Sequence, residues 1–591
     1  MSSVRTASAV PERYLPATEG LAPIPRPGGS YTWTEQAGVD VPMRDGIVLK
    51  TDLYLPQGLQ AAPLILVRTP YNSLNFHPDR SGAGTVQFLV EHGYAVAVQN
   101  TRSKYGSGGE RFVPSIKDDT DTYDTMEWVT RQSWYAGGIG TIGCSYLGES
   151  QVIAARDPHP AWKAAIPMGS GGANFNVGGL DRPFALWNGG ALELAQALSW
   201  FVDHGEPTAR PNTDADKFTM MKSLPLISAL EAAGYSGTEY EEFASEPPTA
   251  SDYWDRYPYL REGETIKVPS LFVEGWYDYG PHDVALQFEA ARAYNGVPEN
   301  AHRLIISPST HCTELDLTGD TVIGELGLGD PRYDFRQLYL DWFDHHLRGQ
   351  GPGLSSIPVV QTYLMGDNRW QAHVAWPPPK SAPQSLYLSP AGTLEKTVPD
   401  QGTVTFTYDP FDPVPTVGSP VCCVPEIDGQ APEGAFDQAP LDERNDILRF
   451  QTAPLSEDLN VSGPVEVVLY VSSDAPDTDF TAKLIDVHPN GKAYNILDGI
   501  QRMRWRERGR KPAFMEPGTV YEVRIHLQAT SNLFKQGHRL RLDVSSSNFP
   551  RFDRNMNVRT APALAAEGQS ARNTVHISDK YPSRLIVQAA R

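Results

Sequence analysis

The chain has 591 residues, room for about three to five folding units at roughly 100 to 200 residues each, and 40% of them are apolar, enough to build large cores. A formal net charge of −21 repels phosphate backbones and anionic headgroups alike, which argues against nucleic acid and membrane surfaces as partners. Residues 1–30 hold no apolar stretch of signal-peptide type and no run approaches the ~18 apolar residues of a membrane span, so a soluble, cytoplasmic protein is expected. Residues 1–30 carry five prolines and read as an extended arm. From there to 171 strands and helices alternate. VPMRDGIVLKTDLYLP (41–56) reads as a hairpin, PLILVRTP (63–70) as a buried strand, TVQFLVEHG (85–93) as a helix and YAVAVQNT (94–101) as an apolar strand. That is the rhythm of a parallel sheet flanked by helices. A helix follows over 116–132, with Asp118, Asp121 and Asp124 on one face. A metal site there competes with the stronger reading, an acidic helix start that complements the helix dipole.

Between 172 and 262 the pattern turns helical without strands. ALELAQALSWFVDHG (191–205) and DADKFTMMKSLPLISALEAAG (214–234) place apolar residues three and four apart, and the stretch reads as a helical insertion. The sheet rhythm resumes over 263–354 with VPSLFVEGWYD (268–278), a helix at 283–294, the strand HRLIISPS (302–309) and a helix at 333–349. From 355 to 591 about ten short β-type segments, beginning with PVVQTYLMG (358–366), are parted by Pro, Gly, Asn and Asp turns. They predict a sandwich or jelly roll. The fold class is therefore α/β with a C-terminal all-β domain.

The sharpest chemical signal is GTIGCSYLGES (140–150), where an apolar strand ends at Ser145 and a helix begins. A serine on a tight strand-to-helix turn is lifted above the sheet with the first helix amides beside it. The pattern departs from G-x-S-x-G, because Leu147 holds the expected glycine place and Gly148 follows one residue later. A serine hydroxyl needs a base and an orienting acid, and in α/β hydrolases these follow in the order acid, then histidine. Asp278 lies just beyond the strand LFVEG, and His311 just beyond the next strand, RLIIS. Order and placement agree with a Ser145–His311–Asp278 triad. An oxyanion needs donors; one is the Tyr146 N–H, and Tyr71, at the end of LVRTPY, offers a phenol on the same sheet edge, although spacing alone leaves it a packing tyrosine. The four cysteines, Cys144, Cys312, Cys422 and Cys423, are too few and too irregularly spaced for a disulfide framework or a zinc site. Cys422 and Cys423 read as two reduced thiols rather than a vicinal disulfide.

RDG (44–46), LVRTPY (66–71), GYAVAVQNTR (93–102), GCSYLG (143–148), GWYD (275–278), SPSTH (307–311), MGDNRW (365–370), DPFDPVPTVG (409–418) and LDGIQRMRWRE (497–507) together resemble the cocaine-esterase family of serine hydrolases. That family also holds α-amino-acid ester hydrolases, cephalosporin-acylase-like enzymes and Xaa-Pro dipeptidyl peptidases. The resemblance implies an α/β-hydrolase domain, a helical cap inserted after its sixth strand, and a C-terminal jelly roll. It implies Ser145 as nucleophile, His311 as general base and acid, Asp278 as its orienter, and Tyr71 with Tyr146 as the oxyanion hole. Trp187, Trp200 and Tyr279 match pocket positions, though the two tryptophans read equally well as core aromatics. Ser307–Thr310 and Cys312 depart from the family pattern around the histidine.

The expected activity is hydrolysis of a small-molecule carboxylic ester or activated amide through an acyl-enzyme, with no metal and no cofactor. A β-lactam acylase or Xaa-Pro dipeptidyl peptidase is the alternative; the peptidases carry a helical N-terminal domain for which residues 1–30 leave no room. A non-catalytic binding protein is disfavoured by the complete triad. Solvent-facing and partner-facing strands read alike, so a homo-oligomer stays open.

Overall fold

Apolar strands alternating with helices assemble, in the computed structural model, into one ten-stranded sheet. The structure describes residues 10–16, 28–77, 84–399, 401–423 and 431–590. The sheet contains β1 (Trp33–Pro42), β2 (Val48–Pro56), β3 (Ala62–Thr69), β4 (Ala95–Asn100), β5 (Tyr135–Cys144), β6 (Trp162–Met168), β7 (Leu271–Gly275), β8 (Arg303–Ser307), β9 (Val360–Leu364) and β10 (Arg369–His373). Their spatial order is β1-β2-β4-β3-β5-β6-β7-β8-β9-β10. Pairing from β4 through β9 is parallel, while β1, β2 and β10 run antiparallel to their neighbours at the edges. Central strands such as β4 and β8 are buried along their whole length, as a parallel sheet covered on both faces requires.

The helices α1 (Gly84–Glu91), α2 (Asp118–Val129) and α3 (Tyr146–Ala154) fall between strands β3 and β6, and α4 (Leu194–His204), α5 (Asp214–Lys222), α6 (Ala229–Ala232) and α7 (Tyr240–Ser245) lie between β6 and β7. The helical run expected over 214–234 breaks after Lys222 and resumes at Ala229, because Pro225 has no N–H and its ring collides with the preceding turn. The helices α8 (Pro281–Arg292) and α9 (Phe335–Phe343) flank β8 in sequence. Three of the four aspartates of α2 each meet an arginine: Asp118 accepts from Arg68 at 2.9 Å, Asp121 from Arg102 at 2.6 Å, and Arg44 pairs with Asp124 at 2.7 Å. Ion pairs hold these three carboxylates on that acidic face.

Most of the arm expected over 1–30 lies outside the described residues. Of the part described, Tyr14 is fully buried and donates its hydroxyl to Asp341 on α9 at 2.9 Å, and Arg13 grips the same carboxylate with two 2.7 Å bonds.

The C-terminal region forms two antiparallel sheets around their own apolar core of Phe406, Val467, Leu484, Ile525, Leu542 and neighbours. One orders Leu394–Glu395, Ser381–Leu388, Arg584–Ala590, Leu459–Ser473, Ala571–Ile577 and Gly402–Tyr408, with Tyr521–Phe534 also on Leu459–Ser473; the other orders Leu448–Gln451, Arg539–Ser545, Asp479–Val487 and Ala493–Arg502. The segment 358–366, grouped by sequence with this β region, instead supplies β9 of the large sheet, with Leu304 beside Val360. A short apolar strand reads the same in either sheet, so periodicity cannot assign it. The helical insertion rests on the β region: Leu192 N–H donates to Asp553 at 2.8 Å, Arg502 N–H to the Gly189 carbonyl at 2.8 Å, and Ala195 N–H to the Pro550 carbonyl at 3.0 Å.

Candidate active site

The turn from β5 into α3 holds Ser145 at φ 65°, ψ −134°, a left-handed backbone that non-glycine residues rarely adopt. Bonds on both sides keep it there. Its N–H donates to the Met168 carbonyl at 2.9 Å, and its own carbonyl accepts from Gly148 and Glu149 at 2.7 and 2.9 Å. The displaced second glycine has a packing reason: a Cβ on Gly148 would stand 2.3 Å from the Met168 carbonyl oxygen, so only glycine lets α3 sit this close to β6.

Asp278 follows β7 and His311 follows β8, adjacent parallel strands. The His311 Nδ1 lies 2.9 and 2.8 Å from the two Asp278 carboxylate oxygens. Burial works against the Asp278 anion, but the His311 charge, the ring hydrogen bond, a hydrogen bond with Glu274 and the Tyr279 N–H at 2.6 Å outweigh it and hold the carboxyl below its ordinary range. Burial likewise disfavours the His311 cation, and Asp278 overrides it, raising the imidazole above its ordinary value. The His311 Nε2 is buried and has no hydrogen-bond partner among the described residues; it and Ser145 border the same cavity.

The Tyr71 hydroxyl donates to Ser145 Oγ at 3.4 Å. Burial, first, pushes this phenol well above its ordinary value, which keeps it a neutral donor. The Tyr146 amide opens α3, where the first N–H groups have no carbonyl of their own helix to meet. The Tyr146 side chain is buried; its hydroxyl accepts the Ser115 N–H at 2.8 Å and its ring stacks on Trp200, with centroids 6.2 Å apart and planes 5° apart.

A cavity of about 400 Å³ opens beside Ser145 and His311, walled mainly by apolar side chains that include Phe76, Leu89, Met168, Trp200 and Leu315. Trp200 thus stands on the wall. Trp187 and Tyr279 do not border it. The Trp187 indole N–H is engaged by the Phe243 carbonyl at 3.2 Å within the core of the helical insertion. Tyr279 is buried behind the histidine, its ring 5.2 Å from the His311 ring and its hydroxyl shared between the Gly169 carbonyl at 2.7 Å and Glu149 at 3.0 Å.

Several groups at this site escaped the sequence reading. Glu149, one helical turn past Ser145, is 4% exposed, and burial raises it to about 8. Glu274 is raised by burial, then by the Asp278 charge. Burial raises Glu433 to about 7, and Glu314, on the cavity wall, is also raised by burial. The expectation of no disulfide also fails: Cys144 and Cys312 are bonded across 168 residues with Cα atoms 5.9 Å apart. Their positions, directly before Ser145 and directly after His311, were the available signal. Cys422 and Cys423 are free, and Cys423 borders the cavity.

Residues 45–313 match the model of the X-Pro dipeptidyl-peptidase S15 family, and residues 352–586 match that of the X-Pro dipeptidyl-peptidase C-terminal non-catalytic domain. The cocaine esterase of Rhodococcus sp. (strain MB1 Bresler) is 33% identical over 589 residues, which cover 93% of this chain and 98% of that protein. Among solved structures, an α-amino acid ester hydrolase superposes with a TM-score of 0.79 at 25% identity, covering 97% of this chain and 99% of that one. An aminopeptidase from a marine sediment Thaumarchaeota archaeon gives 0.80 at 25% identity, covering 100% of both. The chain, an α/β-hydrolase fold with a β-rich C-terminal domain, therefore belongs to the serine hydrolase family that includes cocaine esterase, the α-amino-acid ester hydrolases and the X-Pro dipeptidyl peptidases.

Proposed function

We propose that the protein hydrolyses carboxylic esters of small molecules, and activated amides more slowly, through an acyl-enzyme on Ser145. His311 Nε2 takes the serine proton as Oγ attacks the carbonyl, returns it to the leaving group, then activates water for deacylation. Asp278 orients the imidazole and compensates its charge. The Tyr71 hydroxyl and the Tyr146 N–H receive the oxyanion. The observation that carries this reading is the His311 Nδ1 held by both Asp278 carboxylate oxygens, its Nε2 left without a partner among the described residues, in a histidine that borders the same cavity as Ser145. The 3.4 Å contact between Tyr71 and Ser145 is long, as catalytic hydrogen bonds often are before substrate tightens them.

The cavity walls favour an apolar or aromatic acyl group, with Trp200 as its platform. A cationic acyl group would need an ionised partner, and the carboxyl on the wall, Glu314, is raised by burial and engaged by the Tyr339 hydroxyl at 3.0 Å. That favours a neutral acyl half over an amino-acid ester. In this reading residues 31–171 and 263–373 form the hydrolase domain, 172–262 the cap, and the remainder the jelly roll. No described helix is long and apolar enough to cross a membrane. A cytoplasmic home has to accommodate the Cys144–Cys312 bond, since disulfides there are usually transient and redox-sensing.

The test is labelling by a fluorophosphonate, with hydrolysis of p-nitrophenyl esters of graded acyl size. Stoichiometric labelling that disappears in Ser145→Ala is expected; well-folded wild-type protein that takes no label refutes the proposal.

A further inference from the structure

All four cysteines of this chain gather at one place. Cys144, Cys312 and Cys423 border the cavity, and Cys422 is the neighbour of Cys423. The bonded pair brackets the proposed chemistry, with Cys144 directly before Ser145 and Cys312 directly after His311. In the sheet, β5 and β8 are not neighbours; β6 and β7 stand between them. Strand pairing therefore does not fix the nucleophile's turn against the base's loop. His311 is tied on its Nδ1 side to Asp278, and its Nε2 has no partner among the described residues. The disulfide is the covalent link that spans this gap.

Backbone geometry points the same way. Ser145 and Cys312 both hold positive φ, 65° and 61°, conformations that L residues keep only where their surroundings over-determine them. The sulfur also belongs to the locus of the triad: a Cβ built on Gly169 would lie 2.9 Å from Cys144 Sγ, 3.1 Å from His311 Cε1 and 3.3 Å from Asp278 Oδ2. Cys312 is exposed, so a soluble reductant reaches the bond.

We propose that the Cys144–Cys312 disulfide positions the nucleophile against the base, and that its reduction by an external dithiol switches the hydrolase off. The step balances: two electrons and two protons pass from the dithiol to the Cys144–Cys312 bond, which breaks to two thiols while the dithiol closes to its own disulfide. Cys144 and Cys312 are positioning residues; neither touches the reacting carbonyl. Opening the bond frees the loop that carries His311 and lets Cys312 leave its left-handed conformation. Much of the cavity wall, including Phe76, Leu89, Met168 and Trp200, lies on other elements and stays in place.

The proposal rests on the triad assignment above, and its test separates the two. Wild-type enzyme is first labelled with a fluorophosphonate, with no reductant present. A separate, unlabelled sample is treated with dithiothreitol under native conditions, the released thiols are located by alkylation and mass spectrometry, and ester hydrolysis and the labelling rate are measured on it. We expect kcat and the labelling rate to fall ~10²-fold, the cost of misplacing a catalytic group by about 1 Å, with KM unchanged and with recovery on reoxidation. The variant Cys144→Ala/Cys312→Ala should show the same low kcat without reductant and no response to it. No labelling of the untreated enzyme overturns both readings. Labelling with kcat unchanged to within about twofold after proven release of both thiols overturns the positioning role alone. Collapse of the near-ultraviolet circular dichroism on reduction also overturns it, because the bond would then hold the fold and not the site. The reduction arm uses folded wild-type protein, so it decides the matter even where the double variant does not fold.

Discussion

Replacing Tyr71 by phenylalanine removes one oxygen from the site and little else. The backbone at 71 is fixed by its N–H donating to Thr69 Oγ1 at 3.0 Å and its carbonyl accepting from Asn100 at 2.6 Å, and the ring lies 4.6 Å from that of His204. A phenyl ring keeps all three. What is lost is the hydroxyl 3.4 Å from Ser145 Oγ, too long a contact to contribute more than a fraction of the ~1 kcal/mol of an ordinary hydrogen bond to the resting enzyme. The same hydroxyl is worth far more once an ester carbonyl becomes an oxyanion in a cavity with apolar walls. Loss of one such donor costs ~2.7 to 4 kcal/mol, a factor of ~10² to 10³ in kcat. Because the ground-state carbonyl carries little charge, the loss belongs in kcat and not in KM. Burial holds the phenol above its ordinary value, so it does not titrate where the enzyme works, and the acid limb of kcat/KM, which reports His311, should not move. The assay is steady-state hydrolysis of a p-nitrophenyl ester across pH, with the thermal midpoint as control. A kcat loss smaller than ~10-fold, a loss confined to KM, or a shifted acid limb refutes Tyr71 as an oxyanion donor.

Glu149→Gln tests the buried acid behind the nucleophile. Its folded pKa is raised to about 8 by burial, so the proton it keeps stabilises the fold fully below the ordinary glutamate range, and that contribution is lost as pH rises through about 8. Wild type should lose a few kcal/mol of stability between about pH 5 and 8 from this group, and the variant should be flatter by that amount; melting profiles that overlay across pH refute the assignment. Trp200→Ala removes a side chain that is 6% exposed and stacked on Tyr146, at a cost of ~3 to 5 kcal/mol. It should shift preference toward bulkier acyl groups in a graded p-nitrophenyl ester series, and an unchanged ranking refutes Trp200 as a wall of the acyl site.

What sequence made legible follows from what periodicity encodes. Alternating apolar runs announced the central strands, and because strand ends carry the chemistry in this architecture, Ser145, Asp278 and His311 could be located without a single long-range contact. Relations set by the folded surroundings were not readable. Trp187 and Trp200 both sit among buried aromatics of the helical insertion, yet one faces the cavity and the other meets the Phe243 carbonyl. Amphipathic spacing marks both as buried without saying against what. The aspartates of α2 looked like ligands or a bare helix start, because Arg44 and Arg68, 80 and 50 residues before their partners Asp124 and Asp118, gave no sign of pairing with them. The disulfide was missed for the same reason. Cysteine counting searches for frameworks, whereas this bond is a single link across 168 residues whose meaning comes from the neighbours of its two ends.

The carboxyls around His311 explain how so acidic a chain keeps a working base. Asp278, Glu274, Glu149, Glu433 and Glu314 all act on or near this one imidazole. Were each ionised, their combined field would raise His311 further than Asp278 already does. Burial prevents this selectively. It raises Glu274, Glu149, Glu433 and Glu314 toward the neutral acid, and Asp278 escapes because it collects donors: the His311 ring, Glu274 and the Tyr279 N–H. The site therefore presents the base with one full counter-charge, aimed at Nδ1, and leaves Nε2 facing the cavity. The net charge of −21 thus reveals little about the active centre, where desolvation decides which acids count.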